Sequence, residues 1–345
     1  MRETIEFRIP EELARQVLKP EDGTILGDSV RKIELSPTDA RLDVIRQADA
    51  ESRKRGEAFF TSWRLTRHYS DAELENAEIF QLSMSRMFEP AGEEVGTRYA
   101  DSEACPICGG DARQIGDLRL DLRRLPKNVD IARSIAEEWV VDQRFAELIL
   151  DSGLSGVELG RVLHRSAPDE SLDLGSVPTG RRLLEEAADL GIVPGSSEYW
   201  VWLNRPENHG ALEAARAEAE TEADTRRPSE SLPVWYQLRV TAPPVPVAPP
   251  TQFGADVFDD DPKGSHRCPL GHVAGLNLLS EIYIRREDWS ETDFAVTREL
   301  VGDRRGLLRP APLLLISQRA RALLVDHRIK GYRVEVAYLT DEGPG

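Results

Sequence analysis

The chain has 345 residues, a formal net charge of −17 and 40% apolar residues, which predicts two domains or one large composite domain. The acidic balance argues against a general nucleic-acid binder and against docking on anionic membranes. No apolar run reaches the roughly 18 residues of a transmembrane helix, and the first nine residues lack the apolar core of a secretory signal. Three cysteines with Cys-x-x-Cys spacing favour a reducing compartment, so we expect a cytoplasmic protein.

Residues 1–104 are expected to form an N-terminal α/β region. Ser36 followed by proline indicates a helix start, with Leu42, Val44 and Ile45 as an apolar stripe. Phe80, Leu82, Met84 and Phe88 recur with period two and predict one long strand. The predicted elements are a strand at 5–9, a helix from Ser36 to about Gly56, a strand at 59–65, a short helix opened by the capping box of Ser70, and a strand at 78–88.

Residues 105–165 are expected to form a knuckle followed by a β-α-β unit. The knuckle is Cys105-Pro106-Ile107-Cys108-Gly109, a tight turn in which glycine lets the backbone close behind the second sulfur. The predicted elements after it are a strand at 118–122, a helical stretch at 130–138, a strand at 139–141, a helix from Gln143 to about Ser152 capped by Asp142, a glycine turn, and a strand at 157–163.

Residues 166–230 are expected to form a helical acidic insertion, and residues 231–345 a second knuckle and β-α-β unit. The insertion is predicted to contain an amphipathic helix at 179–190, an aromatic strand at 199–203 and a solvated acidic helix at 211–224. A strand at 232–241 then leads to the proline-rich residues 243–250. These predict a stiff, extended connector into the second knuckle, with a ligand for a proline-recognising domain as the alternative.

The β-α-β unit occurs twice, at a shift of 318 − 143 = 175 positions. Val-Asp-Gln-Arg at 141–144 matches Ile-Ser-Gln-Arg at 316–319, and the glycine turns also match. We expect Leu148 and Leu323 to be equivalent and buried, Gly156 and Gly331 to lie in equivalent turns with positive φ, and each Gln-Arg pair to be a surface feature of a first helical turn.

Cys105, Cys108, Cys268 and His272 together form a Cys₃His set, which is a common closed shell for a structural zinc ion. The two halves of the set are 268 − 108 = 160 positions apart. Closing such a loop costs roughly 4–5 kcal/mol, whereas structural zinc contributes about 10–16 kcal/mol in small peptides. His266 is a rival fourth ligand, although His272 follows the Pro-Leu-Gly turn and so lies opposite the thiolate. The alternative is an inert, reduced pair of cysteines with an unrelated buried Cys268.

Catalytic signatures are missing from the sequence. No histidine is followed two residues later by glutamate, and the zincin, P-loop, dinucleotide-binding and nucleophile-elbow motifs are absent. His68 and the acidic run Asp259–Asp261 are the groups that an unrecognised active site would use. We therefore expect a protein that is not an enzyme.

These patterns resemble the double-CXXCG motif proteins known from myxobacteria. The resemblance covers Cys105–Arg124 and Leu232–Leu339, where Trp235-Tyr236-Gln237-Leu238, the proline run, the knuckle and the closing Leu-Leu-Ile-Ser-Gln-Arg unit follow the family's order. The first 100 residues do not match, and Cys-Pro-Leu-Gly-His stands where the family has a second Cys-x-x-Cys-Gly.

The resemblance implies the immunity side of a bacterial polymorphic toxin system. The expected fold is α+β, with two related knuckle-plus-β-α-β halves joined by a split zinc site, an N-terminal α/β extension and a helical insertion. The expected partner is a protein toxin, and the acidic charge favours a basic one. The alternatives are a zinc-ribbon adaptor within a larger complex and an enzyme with an unrecognised site.

Overall fold

The computed structural model describes residues 1–27, 29–100, 102–110, 112–165, 186–193, 232–258, 277–302 and 309–341, with residues 199, 202, 205, 208, 268, 270, 272, 274 and 275. Residues 186–189 are helical, within the predicted amphipathic helix. The predicted acidic helix at 211–224, the run Asp259–Asp261 and His266 lie outside the described residues.

The described part of the chain is a mixed α+β fold. Its helices are α1 (Glu11–Val17), α2 (Arg41–Lys54), α3 (Asp71–Asn76), α4 (Gln143–Ser152) and α5 (Gln318–Asp326). Its strands are β1 (Arg2–Pro10), β2 (Thr24–Leu26), β3 (Val30–Leu35), β4 (Ser62–His68), β5 (Ile79–Met84), β6 (Met87–Phe88), β7 (Arg98–Ala100), β8 (Arg113–Ile115), β9 (Arg119–Leu120), β10 (Ile131–Ser134), β11 (Trp139–Asp142), β12 (Val157–Arg161), β13 (Leu163–His164), β14 (Trp235–Val240), β15 (Phe253–Gly254), β16 (Ala274–Gly275), β17 (Asn277–Leu278), β18 (Ile282–Arg285), β19 (Phe294–Val301), β20 (Ala311–Ser317) and β21 (Tyr332–Thr340).

The N-terminal region forms a four-stranded sheet of order β2-β3-β1-β4, with α1 and α2 packed against its core. The strand predicted at 5–9 is confirmed, whereas the helix predicted from Ser36 begins at Arg41. The N-cap of this helix is Ala40, which provides no side-chain cap. A carboxylate oxygen of the preceding Asp39 accepts the backbone N–H of Arg41 at 3.0 Å, so Ser36 is not the cap. Val44 is 40% exposed, since it lies one helical step from the buried Ile45.

Two larger sheets share one topology. The first has the order β12-β14-β11-β10-β6, and the second has β21-β5-β20-β19-β16 with β18 added beside β21. The first three pairings are antiparallel in both sheets, and the fourth is parallel in both. The second strand of the first sheet is β14, which comes just before the second β-α-β unit in the chain. The second strand of the second sheet is β5, which comes before the first unit. The chain therefore crosses twice between the two sheets.

The strand predicted at 78–88 is divided between these sheets. β5 belongs to the second sheet and β6 to the first, although both lie within residues 1–104. At the crossing, the N–H of Ser85 donates to the carbonyl of Gly331 at 2.8 Å, just as the N–H of Thr241 after β14 donates to the carbonyl of Gly156 at 2.9 Å. A period-two pattern specifies alternating faces but does not mark a change of partner strand.

Residues 130–138, predicted to be helical, form β10 and a turn. Ile131 and Ala132 are both fully buried, but they belong to different core clusters, as expected for neighbours on opposite faces of a strand. Glu137 ends the turn with a φ of 63°. The helix predicted at 143–152 is confirmed with Asp142 as its cap, because that carboxylate accepts the N–H of Phe145 at 2.8 Å.

The two capped helices present matching faces to the largest core cluster. Ser317 caps α5 by accepting the N–H of Ala320 at 3.1 Å. Leu148 and Leu323, expected to be buried, are only half-buried, and the next residues along, Ile149 and Leu324, are the buried ones. The apolar stripe is therefore centred one residue later than the sequence pattern indicates.

The glycine turns also match. Gly156 and Gly331 have φ values of +79° and +102°, as predicted. A Cβ on Gly156 would lie 2.2 Å from the carbonyl oxygen of Phe294, and a Cβ on Gly331 would lie 2.2 Å from that of Ile131. Each glycine thus lets one β-α-β unit approach the strand that precedes the other unit, β19 or β10, where no side chain fits.

The Gln-Arg pairs are not simple surface features. Arg144 pairs with Asp130 at 2.7 Å and donates at 3.0 Å to the carbonyl of His327, at the end of α5. Arg319 likewise pairs with Asp293 at 2.9 Å and donates to the carbonyl of Ser152, at the end of α4. Each arginine therefore joins its own unit to the C-terminus of the other unit's helix, where backbone carbonyls favour a cation.

The proline-rich residues 243–250 pack along the second sheet. The N–H of Val245 donates to the carbonyl of Val296, and that of Ala248 to the carbonyl of Tyr283, at 2.9 and 2.7 Å. Val245 and Ala248 are 2% and 4% exposed. The stretch is extended, as predicted, but it is part of the core packing instead of a separate spacer.

Candidate metal centre

The first knuckle is a closed backbone turn. The N–H of Cys105 donates to the carbonyl of Gly110, and the N–H of Gly109 donates to the carbonyl of Cys105, both at 2.8 Å. Gly109 has a φ of 73°, the conformation for which a glycine was expected after the second cysteine. The short β7–β8 ladder flanks this turn on both sides. The turn thereby places Cys105 and Cys108 on one side of the knuckle.

The second knuckle has a related turn, in which the N–H of Cys268 donates to the carbonyl of His272 at 3.0 Å. Shortly after it, β16 pairs in parallel with Leu300 and Val301 at the end of β19. The first knuckle packs on the same residue, since a Cβ on Gly110 would lie 2.8 Å from Cδ1 of Leu300. Leu300 is therefore the point of the second sheet at which the two knuckles meet.

The four predicted ligands converge. One ligand atom from each of Cys105, Cys108, Cys268 and His272 lies within 4.8 Å of all the others. The Sγ atoms of Cys105 and Cys268 are 3.5 Å apart, and Sγ of Cys108 lies 3.6 Å from Nδ1 of His272. Sulfurs sharing one tetrahedral zinc at 2.3 Å lie about 3.8 Å apart. The donor set and its spacing could therefore hold a metal ion.

Burial differs among the four side chains. Cys105 and Cys268 are 4% and 6% exposed, whereas Cys108 and His272 are half-buried. The cluster therefore has an inner pair of sulfurs from opposite knuckles and an outer pair made of one sulfur and the imidazole. A small solute reaches the outer pair first.

The backbone prepares one sulfur to be a thiolate. Hydrogen bonds from the backbone N–H of Cys108 and, to a smaller extent, of Ile107 lower the pKa of Cys105 to about 6, because they favour the charged thiolate. Burial raises the pKa of Cys108 to about 11. A bound dication would favour the thiolate at both positions, because its charge is the largest one nearby.

Glu138 anchors the approach to the first knuckle, and the sequence patterns did not identify it. Its carboxylate is 5% exposed and accepts hydrogen bonds from the N–H of Gly92, the hydroxyl of Tyr99 and the hydroxyl of Ser134, at 2.8, 2.7 and 2.5 Å. Tyr99 lies on β7, so the carboxylate ties the knuckle's flanking strand to the turn after β10. An acidic residue inside a predicted helix gives no signal for such a role.

The other candidate groups lie elsewhere. His68 is exposed at the end of β4, opposite Arg2 in the ladder with β1. A separate open cavity of about 520 Å³ lies beside the end of α5, where Asp130, Asp142, Arg144 and His327 are among its lining residues. Its charged groups already serve the contacts between the β-α-β units, since Arg144 pairs with Asp130 and Asp142 caps α4.

Comparison with protein-family models and with curated proteins finds no match to this chain. Within the described residues, no helix is both long and apolar enough to cross a membrane.

Proposed function

We propose that Cys105, Cys108, Cys268 and His272 hold one structural zinc ion that ties the two knuckles together. The convergence of three sulfurs and one imidazole from segments 160 positions apart carries this proposal. Four protein ligands complete a tetrahedral shell and leave no position for a water or a substrate. The zinc therefore contributes to stability, because the unfolded chain has no preformed site for it.

The two β-α-β units are copies of one ancestral unit, each with its own knuckle. The shared sheet order, the matching caps and the reciprocal arginine contacts support this relationship. The knuckles align at a shift of 268 − 105 = 163 positions. The first residues of β10 and β19, Ile131 and Phe294, are related by the same shift, 294 − 131 = 163. In this alignment His272 replaces Gly109, so the fourth ligand is displaced by one residue in the second copy.

The protein acts as a cytoplasmic immunity protein that binds and neutralises a cognate bacterial toxin without catalysis. The resemblance to double-CXXCG motif proteins supports this role, and the net charge of −17 suits a basic toxin by electrostatic steering. The same charge disfavours nucleic acids and anionic membranes as partners.

Elemental analysis tests the metal. We expect one zinc per chain in protein purified under reducing conditions, loss of zinc in His272→Ala, and retention in His272→Cys, which supplies a fourth thiolate. Reduced protein that contains no zinc and is equally stable with and without a chelator would refute the centre.

Co-purification with the product of the neighbouring gene tests the immunity role. We expect a complex whose affinity falls with added salt, because exposed charges are screened, and protection of cells that produce the toxin. A lack of both binding and protection would refute the role, whatever the zinc content.

A further inference from the structure

The three cysteines of the chain all lie in the metal centre, and all three are free thiols. Any disulfide within the chain must therefore use two of the three sulfur ligands. Only one thiolate and His272 then remain for a metal, which is half of a tetrahedral shell. Disulfide formation and metal binding thus exclude each other in this protein.

The inner pair of sulfurs is placed to make that bond. Sγ of Cys105 and Sγ of Cys268 are 3.5 Å apart, and they come from different knuckles. A disulfide has a length of about 2.05 Å, so the two sulfurs need to approach by about 1.5 Å. The alternative bond between Cys105 and Cys108 would lie within a single turn and would leave the second knuckle without a link.

We propose that oxidation by a hydroperoxide joins Cys105 to Cys268, and that this disulfide replaces the metal as the link between the two knuckles. The release of metal in this scheme rests on the proposed zinc centre, whereas the disulfide itself rests on the sulfur positions alone. The centre then has two linked states, one reduced with metal and one oxidised without it.

The half-buried Cys108 is where the oxidant enters. Its thiolate attacks the peroxide O–O bond, forms a sulfenic acid and releases an alkoxide or hydroxide, which takes a proton from solvent. The Cys268 thiolate attacks Sγ of Cys108 and displaces hydroxide, which leaves as water. The Cys105 thiolate then attacks Sγ of Cys268 and releases the Cys108 thiolate.

The overall change is balanced. Two thiolates, one hydroperoxide and two protons give one disulfide, one alcohol or water from the peroxide, and one further water. The sulfurs of Cys105 and Cys268 lose two electrons to the peroxide oxygens, and zinc leaves as a dication because it has lost two ligands. Thiol reductants reverse the change by disulfide exchange, after which zinc can bind again.

The test treats the full-length, reduced, zinc-loaded protein with hydrogen peroxide. Zinc release is followed with a chromogenic chelator, and the remaining thiols are alkylated in denaturant. Trypsin places Cys105 and Cys108 together in Tyr99–Arg113 and Cys268 in Cys268–Arg285. We expect one zinc released per disulfide formed, one alkylated cysteine, which is Cys108, and a covalent link between the two peptides.

Two variants sharpen the result. His272→Ala keeps all three sulfurs but lacks the fourth ligand, so we expect the same linked peptides to form without any release of zinc. Cys268→Ser should give no linked peptides. We also expect the oxidised wild-type protein to have a higher Tm than reduced protein stripped of zinc, since only the former keeps its knuckles joined.

Three cysteines that stay alkylatable after zinc has been released would overturn the inference, and so would a disulfide confined to Tyr99–Arg113. Retention of zinc with all thiols reduced would overturn it as well. A reduced protein that contains no zinc would instead contradict the proposed centre, and the same peptide map would still decide whether Cys105 and Cys268 join.

Discussion

Gly156→Ala tests how the two β-α-β units are packed together. Its φ of +79° places an alanine in the left-handed region, which costs about 1–2 kcal/mol. The new Cβ would also lie 2.2 Å from the carbonyl oxygen of Phe294, a backbone atom that cannot move aside like a flexible side chain. Overpacking of this kind costs about 1–3 kcal/mol. We therefore expect Gly156→Ala to lower the free energy of unfolding by roughly 2–5 kcal/mol.

Gly153→Ala is the matched control. Gly153 ends α4 with a φ of +60°, and its added Cβ would have no heavy atom within 4 Å. Its cost is therefore the left-handed conformation alone, about 1–2 kcal/mol. Urea denaturation followed by circular dichroism measures both variants at the same pH and zinc concentration. Equal losses in the two variants would refute the close approach at Gly156.

Gly331→Ala extends the comparison to the second unit. Its Cβ would lie 2.2 Å from the carbonyl oxygen of Ile131, the same distance as at Gly156. We expect its loss of stability to match that of Gly156→Ala within about 1 kcal/mol, since the contact and the left-handed backbone are the same. A cost limited to one of the two sites would mean that the two contacts are not equivalent.

Three further changes test other parts of the structure. Cys105→Ser should abolish zinc binding and lower Tm strongly, as measured by elemental analysis and calorimetry, whereas unchanged values would refute the centre. Arg319→Ala should cost about 1–2 kcal/mol in urea denaturation, because it removes the charged hydrogen bonds to the Asp293 carboxylate and to the carbonyl of Ser152 at the end of α4, while exposed Arg64→Ala should cost under about 0.5 kcal/mol. Burial, and then the nearby Asp130, raises the pKa of Asp142, so its stabilising contribution is present at acid pH and lost as pH rises through that raised pKa. Asp142→Ser, which keeps a capping residue, should therefore stabilise near pH 7 by only about 0.2–0.5 kcal/mol, because solvent screens the half-buried charge, and not near pH 3. An equal effect at both pH values would contradict this sign.

Local chemistry determined the features that the sequence predicted well. Asp142, Ser317 and Ser70 each cap a helix by accepting a hydrogen bond from the backbone N–H three positions along the chain, so a short stretch of sequence is enough to find them. The convergence of Cys105, Cys108, Cys268 and His272 was predictable for a related reason. Few side chains bind zinc, and the turn residues between them limit where they can point.

Contacts between distant segments decided the features that the sequence did not predict, namely which residues pair as strands and in which sheet. Residues Ile131–Ser134 form a strand because β11 and β6 are available as partners, which no nine-residue window can reveal. The exchange of β5 and β14 between the two sheets has the same origin, since a strand's pattern states which face is buried but not which strand lies beside it.

The sequence by itself therefore determined the caps of α3, α4 and α5, the first knuckle turn, and the convergence of Cys105, Cys108, Cys268 and His272. The tertiary structure alone decided that Arg144 and Arg319 reach the opposite helix, that Glu138 supports the first knuckle, and that Leu300 receives both knuckles. The physical reason is the separation along the chain of the groups that make each contact. Caps and turns are closed by atoms a few residues apart, whereas these contacts join groups whose proximity exists only after the two sheets have formed.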